Sequence, residues 1–239
     1  MPYFFCELNL SVGKIVSPAA EETRHLLLSH RVRVGETVKL QGSDKKRFFA
    51  EVVKAEKNLL ELKCVQELPI PSEPKVGLVL FQAVIAEKAL DFILQKGTEL
   101  GLQKIMLFNA KNTAAKLSKE KFAGRKQRWE KILTGAAKQS ERVVWPELEF
   151  VINNDLLKKQ FEDCGRVYLT AINGGRPSPK ADGGKIGIIV GPEGGFSEAE
   201  MLEFKALPNV RTLTLGPVLL RAETAALAAI SGIRMVVGY

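Results

Sequence analysis

The chain has 239 residues, 46% of them hydrophobic and 26% charged, with a formal charge of +8. That is the composition of an ordinary globular protein, with enough apolar material for one large domain or two small ones. No apolar run reaches the length of a membrane span, the longest, Val76 to Ala86, being interrupted by Gln82. The N-terminus lacks a basic region followed by an apolar stretch, so a secretory signal is not expected. Cys6, Cys64 and Cys164 are widely spaced with no C-x-x-C pair, as in a reducing compartment, and a cytoplasmic protein is expected. His25 and His30 have no cysteine or carboxylate set at ligand spacing, so no metal site is expected.

Residues 1–70 read as a small β-rich unit. Strand candidates are 3–5, 37–40, 48–53 and 59–65, divided by turn signals at Gly35, Gln41-Gly42-Ser43-Asp44 and Lys57-Asn58; Glu21 to Ser29 fits one short helix. Short strands at this spacing favour a small barrel. Leu68 to Pro74 then holds three prolines in seven residues. Proline fixes φ and disfavours helix in the residue before it, so this is a stiff linker and the expected domain boundary, separating 1–70 from 71–239.

Beyond it strands and helices alternate. Strands are expected over 76–85, 105–108, 167–169, 186–190 and 212–215. Helices are expected over 88–100, with Gly101 as its C-cap signal, over 118–140, from Ser197, and over 222–237. Such alternation predicts an α/β domain with a parallel sheet covered by helices on both faces.

The positive charge is uneven. Residues 71–160 carry 16 Lys/Arg against 10 Asp/Glu, whereas residues 161–239 carry 8 against 8. Most of the excess lies in Lys111 to Lys131, where Lys111, Lys116, Lys119, Lys121, Arg125, Lys126, Arg128 and Lys131 face only Glu120 and Glu130. A stretch of this kind attracts a polyanion; the alternative is a solvated, Lys-rich helix face.

Two strand-to-helix turns about twenty residues apart carry the chemistry. Val190-Gly191-Pro192-Glu193-Gly194-Gly195-Phe196-Ser197 precedes a capping-box pattern, Ser197 with Glu200. Phe196 stands where a P-loop needs Lys-Ser/Thr, and the glycine spacing is not that of a dinucleotide fingerprint. What remains is a rigid loop with exposed amides and one acid, Glu193, suited to a ligand bearing hydroxyl or amino groups; a purely structural turn is the alternative. In the second turn, Leu215 to Ala225, Arg221 and Glu223 flank the start of an Ala-rich helix. Glu223 suits the helix dipole, but a cation at a helix N-terminus does not. Arg221 therefore implies a partner: Glu223 itself, a substrate anion or a phosphate. Together they are suited to hold a nucleobase edge and stabilise charge developing on it.

At these residues the chain resembles the SPOUT methyltransferases, and most closely the small-subunit ribosomal RNA uracil-N3-methyltransferase family. The two turns look like that family's cofactor loops, Gln95-Lys96-Gly97-Thr98-Glu99-Leu100-Gly101 like its first-helix signature, and Arg128-Trp129…Ala136-Ala137-Lys138-Gln139-Ser140…Arg142 like its long-helix motif. Arg24-His25 and Arg31-Val32-Arg33-Val34-Gly35-Glu36 are similar to its N-terminal RNA-binding domain. The chain departs from the family at Val218, a frequent arginine; at Lys138, a common glutamate; at Gly97, a usual alanine; and at Lys111-Asn112-Thr113, where an Arg-containing segment is usual.

The resemblance implies a PUA-like β-barrel RNA-binding domain over 1–70 and a SPOUT domain with a trefoil knot over 71–239. It implies an S-adenosylmethionine site formed by Leu169, Thr170, Val190, Gly191, Pro192, Glu193, Gly194, Leu215, Gly216 and Leu220, with Arg221 and Glu223 catalytic. RNA contacts are implied at Arg24, Arg31, Arg33, Gln139, Ser140 and Arg142. The implied enzyme is a homodimer that methylates N3 of one uridine in 16S ribosomal RNA, on the small ribosomal subunit. A non-catalytic RNA-binding assembly factor, or a methyltransferase with a different RNA target, are the alternatives.

Overall fold

Strand pairing sorts the chain into two sheets. The computed structural model describes residues 3–178 and 184–238. They fall into two units, one running to Ser72 and including Lys138–Val143, the other built from Glu73–Ala137 and from Val144 onward.

The first unit contains β1 (Tyr3–Phe5), β2 (Ile15–Val16), α1 (Ala20–Leu28), β3 (Thr37–Gln41), β4 (Arg47–Glu56) and β5 (Leu59–Leu68). The sheet order is β1-β3-β4-β5-β2, with β1 parallel to β3 and the other pairs antiparallel. Alternation selects the core: Val38 and Leu40, Phe48, Ala50 and Val52, and Leu60, Leu62 and Cys64 turn to one side and bury Phe4 and Leu26 with them. Irregular register at Phe49/Ala50 and Val52/Lys54 bends β4 against β5. The two-residue β2 carries too little pattern to be seen in the sequence.

Residues 138–143 are held in this unit by charge. The Glu141 carboxylate receives Lys39 Nζ at 2.6 Å and Arg47 Nη2 at 2.9 Å. Those two cations, Lys39 first, hold its carboxyl below the usual carboxylate range. Glu141 sits at φ +56°, a left-handed conformation that a side chain rarely adopts. Lys138, the departure from the family's glutamate, pairs with Glu22 of α1. Arg47 also lies over the Tyr3 ring, 4.8 Å from its centroid, and the Tyr3 hydroxyl donates to Gln41, whose amide donates to the Val143 carbonyl at 3.0 Å. Burial outweighs the nearby guanidinium and pushes the Tyr3 phenol up to about 12.

The second unit contains β6 (Gly77–Ala83), α2 (Glu87–Glu99), β7 (Leu102–Phe108), α3 (Lys119–Gln139, its last two residues belonging to the first unit), β8 (Glu147–Val151), α4 (Asn154–Glu162), β9 (Cys164–Gly175), β10 (Lys185–Val190), α5 (Glu198–Lys205), β11 (Val210–Leu213) and α6 (Ala222–Val237). All five strand pairs are parallel, in the order β11-β9-β10-β6-β7-β8. Successive residues serve opposite faces. Leu78, Leu80, Ile105, Leu107, Ile186 and Ile188 pack with Leu90, Ile93, Trp129, Leu133, Ala226 and Ile230 of α2, α3 and α6. Val79, Phe81, Met106, Val167, Leu169 and Ile189 pack with Leu157, Phe161 and Phe204 of α4 and α5. The expected α/β domain with a doubly covered parallel sheet is what forms. Among the described residues no helix is long and apolar enough to cross a membrane.

Three local results differ from the sequence reading, which places no element between Ser140 and Val167. The alternating Glu147-Leu-Glu-Phe-Val151 becomes edge strand β8, and Asn153 caps α4 by accepting from Leu156 N–H at 2.9 Å. The last strand lies at 210–213 rather than 212–215, because Thr214 already turns away, its N–H donating to the Gly175 carbonyl at 3.0 Å. Pairing of β11 to β9 jumps from Thr212↔Leu169 to Leu213↔Gly175, so residues 170–174 arch out of the sheet.

Close backbone approach explains two glycines. A Cβ at Gly97 would lie 2.7 Å from Leu102 Cδ1, which accounts for glycine at a usual alanine position inside α2. A Cβ at Gly174 would lie 2.7 Å from Thr214 N and 2.8 Å from Leu213 C, both backbone atoms that cannot swing aside. The C-terminal helix is secured by Arg234, 1% exposed, whose Nη1 donates to the Val76 carbonyl at 2.7 Å and Nη2 to the Gly101 carbonyl at 3.0 Å.

Two outcomes follow. Gly174→Ala destabilises the protein by about 2–3 kcal/mol through overpacking. Gly175→Ala, whose Cβ meets nothing closer than 3.8 Å, costs little, and thermal melts of the pair check this. A raised folded-state pKa at Tyr3 means its contribution is complete below pH 10, the ordinary phenol value, and is lost as pH rises towards 12. Ultraviolet phenolate titration of the wild type against Tyr3→Phe should show the missing late-titrating group, with the variant losing less stability across that window.

Candidate functional site

The carboxyl ends of β9, β10 and β11 meet at one edge of the parallel sheet, where ligands enter α/β folds. Side chains tie these ends together. Thr170 Oγ1 donates to the Ile189 carbonyl at 3.1 Å, joining β9 to β10. Thr214 Oγ1 donates to the Ile172 carbonyl at 3.0 Å and accepts from Gly216 N–H at 3.3 Å, joining the 170–174 arch to the turn after β11. Residues 169–172, 190–195 and 214–216 are thereby brought to one place, and the structure unites the two sequence turns with a third segment.

The glycine turn after β10 is pinned from outside. Asn112, in the loop between β7 and α3, donates to the Gly194 carbonyl at 3.2 Å and to the Gly195 carbonyl at 3.1 Å. Its own Cβ lies 3.2 Å from where a Gly194 Cβ would sit. Glu193 is committed as well: its Oε1 accepts from Ala86 N–H at 3.0 Å, satisfying the residue that opens α2. Ser197 and Glu200 form the expected capping box, and the buried Glu200 carboxylate also accepts from Lys111 N–H at 2.8 Å. The departure at Lys111-Asn112-Thr113 is thus a clamp on the glycine turn. Sequence reasoning missed it; an Asn in a polar loop is a signal only for a turn, not for its distant partner.

The turn fits a ligand held by main-chain groups. Leu169, Val190 and Pro192 are buried, so their side chains face the core and only their backbone serves the crevice. Gly195 at φ +68° and Gly216 at φ +115° have nothing within 4 Å of a Cβ position, so the chain takes conformations open to glycine and leaves space beside both turns. Gly194, Val218 and Leu219 are exposed and Leu220 is half-buried. A ligand bearing hydroxyl and amino groups suits such a backbone-lined crevice better than a polyphosphate, which needs a lysine here. S-adenosylmethionine has that chemistry, and Leu169 to Thr170, Val190 to Gly194, and Leu215, Gly216 and Leu220 are the residues that would hold it.

Arg221 is the exposed N-cap residue of α6, with its main chain extended and no capping bond from its side chain. Glu223 is half-buried in the first turn of the same helix. Among the described residues no ion pair joins them, so of the partners weighed for Arg221 the intrahelical one is not used. A cation and an acid two residues apart stand at the positive end of the helix that follows the Gly216 turn.

The residues expected to face RNA lie in the first unit. Arg24, Arg31 and Arg33 are exposed, Arg31 at φ +52°, and Arg33 N–H donates to Glu36 at 3.0 Å. Arg24 and Arg31 flank in sequence a histidine pair whose rings meet at 4.9 Å; burial and the charge of His25 hold His30 below its usual pKa. Gln139 is exposed, Ser140 half-buried and Arg142 buried. Among the described residues there is no cluster of three or more His, Cys, Asp or Glu able to hold a metal ion.

Residues 72–234 match the model of the RNA methyltransferase domain family. The chain is 33% identical over 166 residues to the ribosomal RNA small subunit methyltransferase E of Mesomycoplasma hyopneumoniae, covering 68% of this chain and 71% of that protein. It is 29% identical over 248 residues to the protein of the same name from Bacillus subtilis, covering 98% and 96%. Among solved structures, the Neisseria gonorrhoeae ribosomal RNA small subunit methyltransferase E bound to S-adenosyl methionine matches with a TM-score of 0.86 and 31% identity, covering 99% of this chain and 98% of that one. A glycine turn clamped at the end of a parallel sheet, a whole-length match in sequence and a whole-length match in fold lead to one conclusion: the chain belongs to the ribosomal RNA small subunit methyltransferase E family of RNA methyltransferases.

Proposed function

We propose that this chain transfers the methyl group of S-adenosylmethionine to N3 of one uridine in 16S ribosomal RNA, acting on the small ribosomal subunit as a cytoplasmic homodimer. The observation that carries the reading is the meeting of three strand ends, the last of them leading through the Gly216 turn into the helix that opens on Arg221 and Glu223. The names of the relatives and the S-adenosyl methionine bound to the Neisseria protein support it.

When bound, the cofactor supplies an electrophilic methyl group on a sulfonium. What remains falls to the chain's own residues. N3 of neutral uracil carries a proton that must leave as the N–C bond forms. Arg221 stabilises negative charge on the flanking carbonyls, and Glu223 orients the ring or relays the proton. The base is reached unstacked, in a single-stranded segment or flipped from its helix. Positioning supplies most of the acceleration, because the donor is already activated.

The domains follow the same reading. The N-terminal domain, 1–70, is a PUA-like barrel, a reading supported by the bulged five-stranded sheet. It contacts RNA through Arg24, Arg31 and Arg33, with Gln139, Ser140 and Arg142 contributing from the end of the long helix. Residues 71–239 form a SPOUT domain knotted as a trefoil. The order β11-β9-β10 and the 170–174 arch gripped by Thr214 support the knot.

Label from methyl-labelled S-adenosylmethionine is expected at N3 of a single 16S uridine after incubation with small subunits from a strain lacking this gene, mapped by nuclease digestion and mass spectrometry. No label on any RNA from folded protein would favour an assembly factor instead. Arg221→Ala is expected to lower turnover by about 10²–10³-fold, the usual loss of one oxyanion-type donor, with cofactor affinity by calorimetry nearly unchanged. Asn112→Asp keeps the shape but replaces two donated bonds with a carboxylate facing carbonyls. It is expected to weaken cofactor binding by about tenfold, an effect that Arg221→Ala lacks.

A further inference from the structure

The basic stretch that the sequence shows as one block is two populations in the structure. Arg128 donates to Asp91 Oδ1 at 2.9 Å and lies 3.2 Å from Glu87, Arg125 lies 3.5 Å from Glu87, and Lys126 lies 3.7 Å from Glu130. Lys131 is engaged too. Arg125, Lys126 and Arg128 are answered by acids of α2 or of α3 itself. Lys111, Lys116, Lys119 and Lys121 are exposed and, among the described residues, make no ion pair.

The four unanswered lysines stand on an ordered scaffold. Asn109 donates to the Leu117 carbonyl at 2.7 Å and accepts from Leu117 N–H at 2.9 Å, closing the loop at its base. Thr113 Oγ1 accepts from Ala110 N–H at 3.0 Å inside it. Asn112 and the Lys111 N–H then fasten the loop to the glycine turn and to Glu200. Lys119 and Lys121 fall in the first turn of α3, where the dipole disfavours cations, and like charges on one short segment repel. The sole acid of 111–121 is Glu120, whose carboxyl is held below the usual range chiefly by a hydrogen bond from Ser118. Nothing in the fold is stabilised by this clustering, yet the loop that bears it is fastened to the candidate methyl-transfer site.

We propose that Lys111, Lys116, Lys119 and Lys121 form a phosphate-binding strip that seats the backbone of the substrate RNA next to the nucleotide being methylated. This rests on the methyltransferase reading of the glycine turn. The strip is indifferent to base identity, because ammonium groups on flexible stems meet phosphate as point charges, so it contributes affinity and register while the crevice selects the base. Arg125 and Arg128, already paired, take no part.

The test measures binding of the full-length protein to a single-stranded 16S RNA fragment across a potassium chloride series. It compares the wild type, Lys111→Ala/Lys116→Ala, Lys119→Ala/Lys121→Ala, the fourfold variant, and the control Arg125→Ala/Arg128→Ala. Each lost phosphate contact lowers the slope of log affinity against log salt by about 0.7 on a single strand, so the fourfold variant should lose roughly 3 and bind at least about tenfold more weakly at low salt. The control should keep the wild-type slope. Cofactor binding by calorimetry is run on every variant. A wild type that binds no cofactor sinks the methyltransferase reading itself, whereas normal cofactor binding with a wild-type slope in the fourfold variant overturns the strip alone. An equal slope loss in the control reduces the effect to net charge and also overturns it. So does an unchanged RNA slope with lost binding to poly-glutamate, which would assign the lysines to an acidic protein partner.

Discussion

The glycine turn after β10 makes one bond of its own, Gly195 N–H to the Pro192 carbonyl at 2.9 Å, and the need to hold it from outside organises the second unit. Gly194 and Gly195 have no side chains with which to brace themselves. The bracing comes from elsewhere in the chain, as Asn112 grips their two carbonyls and Glu193 anchors to the first residue before α2. Glu200 then ties the capping box of α5 to the loop after β7. Three elements far apart in sequence are thus committed to one short turn. A turn held in this way has its shape fixed by the fold.

Alternation in the strands does the rest of the positioning. Because neighbouring residues of β6, β7, β9 and β10 serve opposite faces, α2, α3 and α6 collect on one side and α4 and α5 on the other. The first turn of α6, with Arg221 and Glu223, is therefore delivered to the strand ends by the burial of Ala226, Ala229, Ile230 and Ile233 behind it. Gly97 lets Leu102 pack tightly against α2 at the same layer. Arg221 is exposed and Glu223 half-buried, but the helix that carries them packs deep into the unit.

Much of this was legible before any coordinates. The long helix is expected at 118–140 and found at 119–139, and the capping box of α5 was visible as Ser197 and Glu200. What stayed hidden has a common physical cause. The edge strand β8 is only five residues long and α4 nine, so neither offers enough repeats for a period to stand out. Pairings across the fold leave no trace in local pattern at all: Lys138 with Glu22, Arg128 with Asp91, Asn112 with Gly194. The lysine-rich stretch looked uniform for that reason. The pairing of its arginines, which sets them apart from Lys111, Lys116, Lys119 and Lys121, is a property of α2 and not of the stretch itself.

Arg234 has a bearing on how the protein is made. Its guanidinium completes the carbonyls of Val76 and Gly101, which precede it by 158 and 133 residues. Burying a backbone carbonyl without a partner is costly, so the opening strand of the unit and the end of its first helix have no satisfactory buried state until the last helix arrives. During synthesis the chain grows from its N-terminus, so both carbonyls are made long before this guanidinium. The unit therefore has no finished N-terminal half that can settle early. It closes as a whole only once α6 has been made, and a chain interrupted before Arg234 lacks its fastening.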